Sequence, residues 1–168
     1  MVTGIVIPAD ANEPVREIDT AVPDAIATAV GGLMEAVDLH GLRVTVYVNE
    51  SGLLQHLPFN SRASFLWWYH VPSARQRAML VGDAVIVGLP DDNGADTEVS
   101  TTARELLLSP RRFRVEVRTA DDPTWHRNRA TYPNYWEAIV WAMVLLERMA
   151  EVVDTRVVPV DGDAVEAA

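Results

Sequence analysis

The sequence has no cysteine and no lysine. Without thiols there can be no structural disulfide, thiolate zinc site, iron–sulfur cluster or cysteine nucleophile. Without lysine the phosphate loop G-x-x-x-x-G-K-[ST] cannot be written. Neither G-x-G-x-x-G nor G-x-S-x-G occurs, which removes the common routes to nucleotide hydrolysis and to a serine-hydrolase elbow. Long apolar runs are also missing. The longest, Ala138–Leu146, has 9 residues, whereas a membrane helix needs roughly 20. Residues 1–20 lack a basic start followed by a continuous apolar stretch, so no signal peptide is expected and the default location is cytoplasmic.

What is present suits a folded protein. The chain has 168 residues, 49% hydrophobic and 23% charged, enough to bury roughly 70% of its unfolded surface. All 14 basic residues are arginine, set against 24 acidic ones for a net charge of −10; arginine-only usage points to a GC-rich genome. The charge is uneven: net −6 over residues 1–60, +1 over 61–118 and −5 over 119–168. A field of that sign repels phosphate backbones and lipid headgroups, which argues against nucleic-acid and membrane partners.

Periodicity supplies the elements. Gly4–Pro8 and Val15–Asp19 read as a hairpin. A helix follows, with Thr20 as its cap, Pro23 in its first turn, Val22, Ile26 and Val30 on one face, and Gly31-Gly32 as its stop. Leu42–Asn49 alternates as a half-buried strand, Asn49-Glu50-Ser51-Gly52 turns the chain, Leu53 and Leu54 resume the apolar pattern, and a strand pair is expected around Leu80–Leu89. Asp91–Asp96 has linker composition and is read as the only internal boundary. Beyond it, Thr102 with Glu105 predicts a short helix and Phe113–Arg118 a strand with a charged outer face. After a polar loop, Asn134 caps a helix from Tyr135 to about Val152, with an apolar stripe of Trp136, Ile139, Val140, Met143 and Leu146. Arg156–Val160 closes as a strand. The expectation is an α+β fold, a mixed, mostly antiparallel sheet with about three helices packed on it. Residues 1–92 form a strand-rich domain, 97–160 a strand–helix–strand module, and 161–168 a flexible acidic tail.

The ordered series Val30-Gly31-Gly32, Glu35, Val48-Asn49-Glu50-x-Gly52, Leu57-Pro58-x-Asn60, Val81-Gly82-Asp83 and Val87-Gly88 resembles a domain of unknown function. That family occurs in small proteins of bacteriophages, mobile elements and actinobacteria. The resemblance covers roughly residues 1–90 and implies a compact α+β domain of viral or mobile-element origin, placed in the host cytoplasm if phage-encoded; it implies no activity. The second half resembles another small phage module, less closely. Ser64–Met79 departs from the family pattern in being longer and more aromatic.

Candidate chemistry is sparse. His40, His56, His70 and His126 show no ligand spacing, so no metal or other cofactor is expected. The pairs Asp91-Asp92 and Asp121-Asp122 read as solvated turn residues, and Asn49-Glu50 and Asn60 as a hairpin turn and a cap. The feature that calls for a function is Phe65-Leu66-Trp67-Trp68-Tyr69. Each large ring can bury roughly 150–250 Å², worth several kcal/mol at about 25 cal/mol per Å². On a strand, Trp67 and Tyr69 would face one way and Trp68 the other, so one face needs a cover, either the second half of this chain or another protein chain. With Arg62, Arg75 and Arg77 flanking, this composition is that of a binding hot spot. The expected site is therefore Trp67, Trp68, Tyr69, Arg75 and Arg77, binding a protein partner without catalysis, as a phage accessory protein acting on a host or phage protein. A homodimer would also provide the cover. The alternative is a single-stranded nucleic-acid face at Arg112, Arg114 and Arg118, with Arg104 and Arg111 nearby. A DNA mimic stands further back, because the carboxylates are split between the two ends of the chain and interrupted by arginine. So does a small-nucleotide-binding protein or enzyme with an unfamiliar site, which would need a deep pocket lined by clustered carboxylates or arginines.

Overall fold

A computed structural model describes residues 2–160, so the tail expected at 161–168 lies outside the described residues. The chain divides between Leu108 and Ser109 into two compact units, one built on a five-stranded sheet and the other on a three-stranded sheet. Every strand pairing in both is antiparallel, and the fold class is α+β as expected.

The first unit runs β1 (Thr3–Ile7), β2 (Arg16–Asp19), α1 (Ala25–Val30), β3 (Met34–Leu39), β4 (Val44–Asn49), α2 (Ser61–His70), a short 3-10 turn (Pro72–Ala74), β5 (Ala84–Gly88) and α3 (Thr101–Leu108). Its sheet has the order β2-β1-β5-β4-β3. Every residue of β1 and β5 is buried, as near-continuous apolar runs require when both sheet faces are covered. Val6, Val85 and Val87 pack on Ile26 and Val30 of α1. Strand alternation sends Ile5, Ile7, Val44, Val46 and Ile86 to the opposite face, where each is fully buried. Glu17 pairs across from Ile5, and its ion pair with Arg104 sets α3 over that second face.

Several local expectations are corrected. Thr20 does not cap α1; its hydroxyl donates to the Val2 carbonyl at 2.9 Å, and the helix begins only after Asp24, with Pro23 in the preceding turn. Val22 is 54% exposed, while Ile26 and Val30 are buried and Gly31 ends the helix in the left-handed region as expected. Leu53 and Leu54 lie in a turn, exposed by 62% and 84%, and start no strand. Around Leu80–Leu89 there is one strand, β5, because Val81 makes only a bridge to Phe59. β4 is buried on both faces rather than half-buried. The cap of α3 is Ser100, whose Oγ accepts from Ala103 N at 3.2 Å, not Thr102.

The boundary read at Asp91–Asp96 is also displaced. That stretch is a loop closed by the Asp91 carboxylate, which accepts from the N–H groups of Asn93 and Ala95. The chain then returns to the first sheet, where Gly88 N donates to Thr97 O at 2.9 Å and Val99 N to Thr3 O at 3.2 Å. Backbone pairing of this kind carries residues 97–108 into the first unit.

The second unit contains β6 (Phe113–Thr119), β7 (Asp122–Arg127), α4 (Tyr135–Arg148) and β8 (Val152–Pro159), in the sheet order β7-β6-β8. β7 occupies what the sequence presented as a polar loop. Asn134 caps α4 as expected, its side chain accepting from Glu137 N at 2.9 Å. The buried face is Tyr135, Ala138, Ile139, Ala142 and Met143, rotated from the expected stripe; Trp136, Val140 and Leu146 are only half-buried. Small Ala138 and Ala142 let the helix approach the sheet, and Phe113 meets Tyr135 edge-on with ring centroids 5.7 Å apart.

Candidate functional site

The aromatic run lies on α2, not on a strand. Asn60 Oδ1 accepts from Ala63 N at 3.0 Å and starts the helix; Ala63, Ser64 and Leu66 then turn inward and are fully buried. At 3.6 residues per turn, Phe65 and Trp68 share one side. Their ring centroids are 5.5 Å apart, and Phe59 from the preceding segment lies 6.2 Å from each. Trp68 Nε1 donates to the Ala78 carbonyl at 2.8 Å, which ties the segment carrying Met79 to this cluster. Phe59 is 42% and Met79 49% exposed.

Trp67 and Trp68 are both half-buried, so neither indole is sealed inside the chain. Tyr69 is half-buried and meets His70 edge-on at 5.1 Å, Arg75 is half-buried and Arg77 exposed. The packed rings are thus Phe59, Phe65 and Trp68, with the exposed Met79 next along the chain from the Ala78 that Trp68 holds. Phe65 and Trp68 belong to the aromatic run that the sequence presents; Phe59 and Met79 do not. The spacing of Phe65 and Trp68 was the available signal, but it speaks only once the segment is known to be helical. Arg62, one of the flanking arginines, is a clamp: its NH2 group donates to the carbonyls of Pro8, Asp10 and Glu13 at 2.9, 3.0 and 2.9 Å. Residues 51–82 contain Arg62, Arg75 and Arg77 but no acidic residue. Burial pushes the His70 imidazole down to about 4, which keeps it neutral near pH 7.

The residues that carried the family resemblance are joints. Asn49, 5% exposed, donates to the carbonyls of Val30 and Gly31 and accepts from Ser51 N, linking the end of α1 to the turn after β4. Asn60, fully buried, donates to Ile7 O and Gly82 O, both at 2.9 Å, besides capping α2. Gly82 has φ +74, a left-handed conformation that calls for glycine. Asp83 accepts from Ala9 N at 2.8 Å.

In the second unit, register places Arg114, Glu116 and Arg118 on the sheet face away from Phe113 and Val115, beside Asp154 and Arg156 of β8. The arginines there have partners. Glu116, 6% exposed, receives Arg156 at 2.6 Å and Arg114 at 3.1 Å, and Arg118 meets Asp154 at 3.0 Å. The guanidiniums of Arg156 and Arg118 lie 4.5 and 5.1 Å from the Trp125 ring. Arg112 donates to both the hydroxyl and the carbonyl of Thr131. Burial alone would raise the Glu116 carboxyl, but Arg156 and Arg114 outweigh it and hold the group below its ordinary range.

Two further polar groups are constrained. Tyr47 donates to Asp96 at 2.6 Å, and burial followed by that bond pushes the phenol up to about 12. The Asp122 carboxylate accepts from Thr124 N and sits 2.8 Å from His126 Nε2; these bonds hold it down to about 2. Among the described residues, no three or more His, Asp or Glu side chains converge as metal ligands would, and no helix is long and apolar enough to cross a membrane.

The family of domains of unknown function DUF3846 matches residues 2–109, which is the first unit almost to the residue. No curated protein and no solved structure matches the chain.

Proposed function

We propose, from the premise that this chain belongs to the DUF3846 family of domains of unknown function, that it binds a protein partner through the Phe59–Phe65–Trp68 cluster and does no chemistry of its own. One observation carries this reading: three mutually packed rings with Phe59 and Met79 about half exposed, in a segment of 32 residues without a carboxylate. Rigid aromatic and methionine surface rimmed by arginine is the composition of interface anchors. Arg75 and Arg77 follow in the same acid-free segment, and Trp67 and Tyr69 flank Trp68 on α2, each partly exposed. The phage or mobile-element setting, with a host or phage protein as partner, rests on the family resemblance and on the arginine-only basic set.

The test is affinity capture with the full chain against Phe59→Ser/Met79→Ser, two exposed positions, with the melting temperature of the double variant as the check that it remains folded. The expected outcome is a partner held by the wild type and lost by the double variant. If both chains retain the same proteins, the cluster is not the binding site.

A further inference from the structure

We infer that the outer edge of β3, which no strand of the described residues covers, is a docking site for an extended, basic segment of a protein partner, which adds to the five-stranded sheet as a sixth strand. This surface is separate from the aromatic cluster. β3 ends the strand order, and Met34, Glu35, Ala36 and Asp38 are exposed. It pairs residue for residue with β4 from Met34↔Asn49 to Leu39↔Val44, without a bulge. Glu50 N donates to Leu33 O at 2.9 Å, so Leu33 stands opposite Glu50 as a hydrogen-bonded pair. Antiparallel alternation then turns the backbone groups of Glu35 and Val37 toward β4 and those of Met34, Ala36 and Asp38 outward. Sheet edges are commonly blocked by proline, charged side chains or a bulge. MEAVDL has no proline and no bulge, and its two charges are both acidic, so they repel an acidic strand and attract a basic one. The opposite edge, β2, is only four residues long.

Charge selects the occupant. Glu35 and Asp38 project to opposite faces of the edge, Asp38 accepting from Thr45 Oγ1 at 2.7 Å. Residues 2–108 hold six arginines against fourteen carboxylates, a field that draws in a cationic strand and orients it. A second copy fits poorly, because pairing β3 with itself gathers four carboxylates with no basic residue on either strand. Beside the edge, a shallow groove of about 230 Å³ is lined by residues 20–27 and Met34, and Leu33 is 74% exposed. In strand addition, main-chain bonds hold the guest and such pockets take alternate side chains. The groove suits one apolar residue between basic neighbours.

The test uses the full chain and two labelled peptides, one of alternating arginine and valine and one of alternating glutamate and valine, followed by fluorescence anisotropy at near-physiological salt. Ala36→Pro removes only an outward N–H, keeps the ladder to β4 and leaves the charge unchanged. The basic peptide is expected to bind the wild type, to bind Ala36→Pro roughly tenfold more weakly, and to bind Phe59→Ser/Met79→Ser as the wild type does; the acidic peptide is expected not to bind. Amide exchange gives a readout that does not depend on the proline variant folding: the peptide should slow Met34, Ala36 and Asp38 in the wild type. Equal affinity for a natively melting Ala36→Pro, no added protection at those amides, or equal binding of the two peptides would each overturn the proposal. So would a dimer of this chain that Ala36→Pro dissolves, since the edge would then belong to a second copy.

Discussion

Asn49 and Asn60 are polar side chains at 5% and 0% exposure, tolerable because each spends its amide on backbone groups that would otherwise be orphaned. Their residue type and position, after apolar runs, made the turn and the cap legible in the sequence. The second half of each role was not, because Val30, Gly31, Ile7 and Gly82 lie far off along the chain. His70 is a sharper case, since nothing around it in the sequence signals burial. Its ring titrates near 4 in the folded chain against an ordinary 6.5. Between those values the unfolded chain holds more protons than the folded one, so stability falls as pH drops from about 6.5 toward 4. The upper bound is about 3 kcal/mol, lessened by the part of the ring that meets solvent. The expected result is a urea midpoint that declines between about pH 7 and pH 4.5 more steeply for the wild type than for His70→Gln. Parallel declines would show that the ring is not held neutral.

At the level of elements, strong periodicity coincides with the observed helices and strands, and weak periodicity does not. The Asn134 cap and the wide apolar surface of α4 made that helix plain, yet Ala138 and Ala142, not larger residues, set which side meets the sheet. β3 and β7 were missed because edge strands expose both faces and so lose the period-two signal. The successive aromatic residues of α2 suit a pleated surface, but Asn60 and the inward Ala63, Ser64 and Leu66 make the segment a helix. Asn60→Ala removes the α2 cap and leaves Ala63 N, Ile7 O and Gly82 O without their partner. A loss of about 2–4 kcal/mol is expected, measured by denaturant unfolding. A change below about 0.5 kcal/mol would mean that the joint is dispensable.

Over the whole molecule, charge is partitioned. Residues 2–108 carry a net −8 and residues 109–160 a net +1. The arginine strand that invited a nucleic-acid reading is internally paired through Glu116 and Asp154, so phosphates would have to displace carboxylates already in place. Labelled single-stranded oligothymidylate is expected to show no measurable binding at about 0.15 M salt. Micromolar affinity persisting there, weakened by replacing Arg118 or Arg156, would reverse that conclusion.

The sequence by itself determined the α+β class, the hairpin of β1 and β2, β4, β6 and the start of α4, and it excluded chemistry that needs thiols or lysine. These follow from composition and from patterns repeated within a few residues, where local backbone geometry rules. Only the tertiary structure decided that Phe59 packs on Phe65 and Trp68, that the arginines of β6 are paired, that residues 97–108 belong to the first unit and that no described strand covers the outer edge of β3. Each of these depends on partners brought together from distant parts of the chain, and a local pattern holds no record of which segments will meet.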